Sequence, residues 1–378
     1  MMTPFESAVR GSLEESRGGR THVHYRNDLG DRATPLSGTQ LIRPGRRTWQ
    51  VRCPGRAERR ATRRRAISYA VAMSHPTDSS TPAAPVSSAP APAAPPAAST
   101  AILTPEAIAT AAEAAMAKRP VREPWRIAML AVLGGAWIAL GFVFYITTQT
   151  GASTMPWGIS RTIGGVAFSV GLLLVIVTGA ELFTSSTMTI IAKVVGRITW
   201  PQFALHWVIV WVFNFVGALL VAALCYFGGL QTNGKNGWGK VVLDGAAAKL
   251  HHSWGEAFVL GIFANLAVCL AVWMAFAGKT LVDKAFAVVG PVALFVATGL
   301  EHSIANMFFL PLAMIFKDHG GAKFLKGLDM SAYSDLTWTH VFVNNLLPVT
   351  LGNIIGGGLI AGLYQWYANR PKVEAAAV

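Results

Sequence analysis

The apolar residues of this chain form long blocks separated by short polar segments. Six blocks between residues 124 and 370 have about 20 or more residues, enough to cross roughly 30 Å of bilayer hydrocarbon as a helix. They lie at 125–148, 161–192, 199–228, 254–277, 284–316 and 338–368. This pattern predicts an all-α polytopic membrane protein with six transmembrane helices. The second and fifth blocks exceed one crossing and carry polar interruptions, so we expect both helices to be broken.

Composition agrees with a membrane chain. Of the 378 residues, 52% are hydrophobic and only 13% are charged, whereas about 25% of the residues in a soluble domain are charged. Residues 1–66 contain 15 Arg, no Lys and 6 acidic residues, which is a net +9 of the total +13. The three cysteines form no CxxC pair and imply neither a disulfide framework nor a metal site. We expect no cofactor.

The region before the first block lacks the pattern of a packed core. Residues 1–100 are Arg-rich and then Pro/Ala/Ser-rich, which predicts a disordered leader. Met73 would suit a true start, in which case the preceding residues lie upstream of the protein. The Arg-rich part could bind nucleic acid or anionic lipid, but it lacks aromatic interleaving, and we expect no nucleic-acid partner. Residues 101–123 predict an amphipathic cytoplasmic helix, because Thr104-Pro-Glu106 is a helix-start signature.

The six-span domain is expected at 124–370, followed by a cytoplasmic tail at 371–378. An even number of spans places both termini on the same side of the membrane. Ten Lys and Arg residues flank the spans on that side and seven flank them on the other. The positive-inside rule therefore favours cytoplasmic termini.

Two short motifs occur twice in the same order. Thr178-Gly-Ala-Glu181 in the second span matches Thr298-Gly-Leu-Glu301 in the fifth. Asn214-Phe-Val-Gly217 in the third span matches Asn353-Ile-Ile-Gly356 in the sixth. The two matches divide the domain into two three-span halves. Because three is odd, the halves insert with opposite orientations, which predicts an inverted repeat.

Glu181 and Glu301 are the only acidic or basic residues deep within the predicted spans. A charge at the bilayer centre costs about 2.5–3.5 kcal/mol, so these carboxylates should face protein, accept backbone N–H groups freed at a helix break, or be protonated. We interpret them as anchors of the breaks beside a pore. The adjacent His302 could be an ordinary buried histidine bonded to a carbonyl. Its depth beside a break favours a functional role, since histidine titrates near physiological pH.

At these residues the sequence resembles the formate/nitrite transporter family, and within it the formate channels. The resemblance runs in order from about residue 104 to 370. The matching stretches are Gly179–Ser185, Asn214–Ala218, Ala264–Met274, Gly299–Met307 and Asn345–Gly357. It implies an aquaporin-like six-helix protomer, assembled as a homopentamer in a bacterial inner membrane, with one pore in each subunit.

The resemblance also implies where the pore is narrow. Phe168 and Leu172 look like the family's cytoplasmic-side constriction. Phe295, with Val268 close by, resembles the periplasmic-side constriction. We therefore expect two hydrophobic constrictions along the path.

Between the constrictions, the resemblance implies a polar chamber. Thr184 would lie on the loop that interrupts the second span and would face His302. Asn265 looks like a polar pore-lining residue. Lys249 resembles the basic residue that attracts anions on the periplasmic side.

Together these features predict a membrane channel or transporter for small monovalent weak-acid anions, with formate first and nitrite or hydrosulfide as alternatives. The expected partners are these anions, membrane lipid and other copies of the chain, and no enzymatic activity is expected. Two other classes are alternatives. A membrane oxidoreductase or haem protein would need histidine pairs on facing spans, and a neutral-solute pore would need two Asn-Pro-Ala boxes, which this sequence lacks.

Overall fold

The computed structural model describes residues 102–371, and every regular element in that range is helical. The predicted leader at 1–100, the start at Met73 and the tail beyond Pro371 lie outside the described residues. Short helices precede, interrupt and connect the long ones. These are α1 (Pro105–Lys118), α4 (Phe183–Ser186), α5 (Ile190–Val194), α7 (Gly237–Leu250) and α11 (Ala322–Leu325).

Five helices are long and apolar enough to cross a membrane. They are α2 (Pro124–Gln149), α3 (Trp157–Thr178), α6 (Trp200–Phe227), α8 (Trp254–Ala277) and α12 (His340–Asn369). The remaining predicted span is divided into α9 (Leu281–Ala297) and α10 (Ser303–His319). The second span also stops, at the end of α3, and resumes with α4. The protein is therefore a polytopic all-α membrane protein, as predicted, and its second and fifth spans are broken.

Glycine ends the first helix of each broken span. Gly179 follows α3 with φ +71°, and Gly299 lies two residues after α9 with φ +76°. This left-handed conformation is readily available to glycine because it has no Cβ. The next amide closes each turn: Ala180 N donates to Val175 O, and Leu300 N donates to Phe295 O. The same turn chemistry therefore terminates both helices.

An asparagine holds the chain after each break. The Asn214 carboxamide accepts from Phe183 N at 2.8 Å and donates to Ala131 O and Glu181 O at 2.7 and 2.8 Å. It is fully buried. Each bond satisfies a backbone group in a place where water is scarce.

Asn353 makes the equivalent three bonds in the other half. Its carboxamide accepts from Ser303 N at 2.9 Å and donates to Gly261 O and Glu301 O at 2.8 and 3.0 Å. In each half the partners are the carbonyl of the T-G-x-E acid, the amide two residues after it, and a carbonyl in the first span of that half. The repeated Asn-x-x-Gly motif thus has a defined structural role.

The glycine of that motif lets the helices approach closely. A Cβ on Gly217 would overlap the carbonyl oxygen of Val132, and one on Gly356 would overlap that of Ile262. Small residues are the usual means by which membrane helices pack backbone against backbone. Each half therefore packs its first span against its third by the same device.

Both ends of the described chain lie on one side of the molecule. The Trp366 indole, near the end of α12, donates to Glu113 of α1 at 3.1 Å. Arg197, between α5 and α6, pairs with the same carboxylate at 3.0 Å. We call this the terminal side and the opposite one the far side.

Candidate functional site

The two helix breaks bring His302 and Thr184 into contact. His302 immediately precedes α10, and its Nδ1 accepts from Ala305 N at 3.1 Å. Its Nε2 lies 2.9 Å from Thr184 Oγ1, and both side chains are at most 2% exposed. Because Nδ1 is an acceptor, a neutral ring carries its proton on Nε2 and donates it to Thr184. The rotatable hydroxyl can then donate to a third group.

A cavity of about 580 Å³ reaches His302 from the far side. We call it the far-side cavity, and its lining includes Phe168, Phe295, Arg161, Lys249 and His302. The Phe295 ring stacks on His302 with centroids 5.9 Å apart, and Phe168 meets Phe295 edge-on at 5.6 Å. Two aromatic rings thus border the approach to the imidazole.

A second cavity, of about 420 Å³, lies on the terminal side beneath α1. We call it the terminal-side cavity. Its lining includes Lys118, Arg119, Arg122, Lys284, Glu181 and Ser185. Ser185, which directly follows Thr184 in the chain, is the lining residue nearest in sequence to the His302–Thr184 pair.

Glu181 is paired with two arginines from the segment between α1 and α2. Its Oε1 accepts from Arg122 Nη1 at 2.5 Å, and its Oε2 lies 3.5 Å from Arg119 Nη1. The carboxylate is buried, and it also accepts from the Ser186 hydroxyl at 3.4 Å. A buried carboxylate needs such partners.

Glu301 has an equivalent set of partners from different residues. Lys249 Nζ donates to Oε1 at 2.7 Å, while the amides of Asn306 and Asn345 donate to Oε2 at 2.6 and 3.2 Å. His252 Nε2 lies 3.9 Å from Oε1. Each break therefore carries a carboxylate neutralised from outside its own helix.

Asp244 of α7 is another carboxylate on the far-side cavity. It accepts from Lys240 Nζ at 2.7 Å and from the Tyr333 hydroxyl at 2.6 Å. Burial, together with this hydrogen bond to Asp244, raises the pKa of Tyr333 above its ordinary value. Tyr333 therefore stays protonated and donating at neutral pH.

The described residues contain no evident metal site. Within residues 102–371, no three His, Cys, Asp or Glu side chains are grouped so that they could hold a metal ion. Cys225 and Cys269 are buried free thiols, and the Cys269 thiol donates to Thr184 O at 3.3 Å. The chemistry of the site comes from hydrogen-bond donors, carboxylates and basic side chains.

Comparison with known proteins places the chain. A family model described as formate/nitrite transporter matches residues 105–367. The chain belongs to this family. Formate channel FocA of Escherichia coli (strain K12) is 47% identical over 262 residues, which is 69% of this chain and 92% of that protein. FocA of Haemophilus influenzae is 47% identical over 252 residues, 66% of this chain and 88% of that protein.

The fold has matching solved structures. A pentameric formate channel with formate bound aligns with a TM-score of 0.62 at 40% identity, covering 65% of this chain and 97% of that one. An ion channel of the same family aligns with a TM-score of 0.57 at 30% identity, covering 69% and 98%. The expected family and fold class are confirmed.

In this family member, Phe168 lies elsewhere than the resemblance implied. It was expected at a terminal-side constriction, separate from Phe295, but the two rings are in contact and both line the far-side cavity. Phe168 is ten residues, or about 15 Å, before the end of α3, which places it near the middle of that helix. Leu172 and Val268 are buried, and neither is among the described lining of these two cavities.

Asn265, which was expected to line the pore, has a defined structural role. Its side chain is fully buried and donates to Thr184 O at 3.0 Å and Asn353 O at 2.7 Å. Neither cavity lining includes it among the described residues. In this structure Asn265 positions the backbone of Thr184.

Lys249 lines the far-side cavity, but its charge is not free. The ion pair with Glu301 balances it. Glu181 and Glu301 could have accepted backbone N–H groups freed at the breaks, but in the structure their carboxylates do not. Asn214 and Asn353 do that instead, and the repeated Asn-x-x-Gly motif was the sequence signal for them.

Proposed function

We propose that the protein is a channel for small monovalent weak-acid anions, with formate as its principal substrate. The observation that carries this proposal is the buried contact between His302 and Thr184, with His302 lining the far-side cavity and Ser185, the neighbour of Thr184, lining the terminal-side cavity. Relatives named formate channels support the choice of substrate, and family membership points to transport rather than catalysis. By analogy with the pentameric solved structure, we propose a homopentamer in a bacterial inner membrane, with cytoplasmic termini.

The aromatic rings of the far-side cavity would remove water from a passing anion. An anion that passes Phe168 and Phe295 loses water, and apolar surroundings disfavour a bare charge. A weak acid can avoid this cost by binding a proton from the aqueous solution before it passes the rings, whereas chloride, the anion of a strong acid, cannot. We therefore expect formate, nitrite or hydrosulfide to pass better than chloride.

His302 and Thr184 would replace the lost hydration. The Nε2–H donates to the Thr184 hydroxyl, which can donate onward to a carboxylate oxygen. For His302 to give the anion a proton, its ring would first need a second proton, on Nδ1. That atom accepts the Ala305 amide, so the geometry favours hydrogen-bond donation over proton donation.

Anion flux into proteoliposomes tests the proposal. His302→Ala and His302→Asn should each slow formate uptake by roughly 10- to 100-fold, because a hydrogen bond to a charged group contributes about 1.5–3 kcal/mol. His319→Asn is the matched control, since it makes the same change at the exposed end of α10. Uptake by both His302 variants at the wild-type rate, with the wild-type pH dependence, would contradict the proposed role of this imidazole.

The same assay separates the substrates. Formate, nitrite, hydrosulfide and chloride would be compared at two pH values. Faster uptake of nitrite or hydrosulfide than of formate would replace the substrate within the same mechanism. Equal uptake of chloride would contradict the weak-acid requirement.

A further inference from the structure

Arg161 reaches the second helix break from the second turn of α3. Its guanidinium donates to Val296 O at 3.2 Å and Ala297 O at 3.4 Å, and it also donates to the Tyr145 hydroxyl. These two carbonyls belong to the last turn of α9. The half-buried guanidinium lines the far-side cavity, as His302 does.

The ion pairs of the far-side cavity leave Arg161 as an unbalanced cation. Lys249 is paired with Glu301, and Asp244 is paired with Lys240. Among residues 102–371, no carboxylate lies within ion-pair distance of Arg161. The positive field of the cavity therefore comes chiefly from this residue and not from Lys249.

The position of Arg161 matters because of the helix end that it covers. The last carbonyls of a helix lack intrahelical partners and carry a partial negative charge. At the end of α9 such carbonyls lie beside the approach to His302, where they would repel an anion. Two N–H groups of Arg161 bond them and reverse the local sign.

The first break lacks this arrangement. Thr178 Oγ1 donates to Leu174 O in the last turn of α3, and Thr298 Oγ1 makes the same bond to Leu294 O in α9. The described structure adds a basic side chain to the carbonyls at the end of α9 alone. The extra cation is thus separate from the scaffold shared by the two halves.

We propose that Arg161 is a positioning residue for anion transport, which draws the anion into the far-side cavity and keeps the end of α9 from repelling it. The inference rests on the proposed function. It assigns to Arg161 the attraction that the sequence suggested for Lys249.

Initial uptake rates over a range of formate concentrations up to saturation, measured at low and high ionic strength, test this role. Arg161→Gln should raise the half-saturating formate concentration by roughly tenfold at low ionic strength, because focused charge commonly raises encounter rates by about 10-fold or more. The difference should shrink in high salt, where the screening length falls to about 3 Å at 1 M. Arg161→Lys keeps the charge and should stay within about threefold of the wild type.

Lys326→Gln is the matched control, since it removes an exposed far-side charge outside the cavity lining. A half-saturating concentration for Arg161→Gln within twofold of the wild type at low ionic strength would overturn the proposal. The proposal would also be overturned if Arg161→Gln lowered uptake equally at every ionic strength and Arg161→Lys showed the same loss of uptake. That result would indicate only a structural role. If Arg161→Gln does not assemble, Arg161→Lys decides the test at low ionic strength. A tenfold loss of uptake in Arg161→Lys overturns the proposal, and uptake near the wild-type rate supports it. A wild type that transports none of the weak acids would overturn this proposal and the proposed function together. If the wild type does transport them, a failed Arg161 test contradicts only the role of Arg161.

Discussion

Asn353→Leu should destabilise the protein strongly, because one carboxamide satisfies three backbone groups at the second break. The substitution leaves Ser303 N, Gly261 O and Glu301 O without the bonds that they now make at 2.8–3.0 Å. All three bonds involve a fully buried side chain. At a net of about 1 kcal/mol for each bond, the loss is about 3 kcal/mol. This corresponds to a more than hundredfold change in the ratio of folded to unfolded protein.

Thermal unfolding of the purified protein in detergent measures this loss. A change of about 3 kcal/mol should lower the midpoint by roughly 6–12 °C. Asn214→Leu should have an effect of the same size, since it removes the equivalent three bonds at the first break. Asn369→Leu is the control, because its carboxamide makes one bond near the end of α12, and its midpoint should change little.

Asn353→Asp sharpens the test. The carboxylate can still accept from Ser303 N, but it then faces the carbonyl oxygens of Gly261 and Glu301, to which the amide donates. An acceptor against two acceptors in a buried site should destabilise the fold at least as much as leucine does. A wild-type midpoint for either Asn353 variant would refute the reasoning, since the break would then be held by other groups.

Two further substitutions test the packing and the terminal-side helix. Gly217→Ala places a methyl group against the backbone of α2 and should cost about 1–3 kcal/mol in unfolding free energy, whereas Gly158→Ala, which meets open space, should be neutral in the same thermal assay. Glu113→Ala removes the acceptor shared by Arg197 and Trp366. Because Arg197 is largely exposed, the loss should be only about 1 kcal/mol, visible as roughly fivefold faster hydrogen exchange in α1; unchanged exchange would show that other contacts hold α1.

Much of the fold could be predicted from the sequence, because a bilayer restricts spanning segments to long apolar helices. The predicted block at 199–228 corresponds to α6 (Trp200–Phe227), and that at 254–277 coincides with α8. The breaks were predictable too, since a T-G-x-E motif within an apolar block places a glycine two residues before an acid. Local composition was sufficient in each case.

The side-chain pairs of the site were harder to predict, because they join distant parts of the chain. The sequence marks Lys249 as basic and Glu301 as acidic, but it does not show that they meet across 52 positions. The same holds for Phe168 and Phe295, whose contact depends on the relative axial position of α3 and α9. Arg161 was missed for this reason, since its partners lie 135 and 136 residues away.

The two halves of the repeat share the asparagine and glycine residues that stabilise the fold, but they differ in the side chains at the proposed anion site. Leu182 and His302 each follow the acid of a T-G-x-E motif, yet only His302 caps its helix with a side-chain nitrogen. Thr184 comes from the first break and the imidazole from the second, and they meet at 2.9 Å. In this pair the imidazole of His302 has a fixed donor, Nε2–H, and the hydroxyl of Thr184 can accept that hydrogen bond and donate another to a third group. The inverted repeat therefore brings both breaks to one point, and the difference between its halves gives the proposed anion site one imidazole donor and one hydroxyl that can accept from it and donate onward.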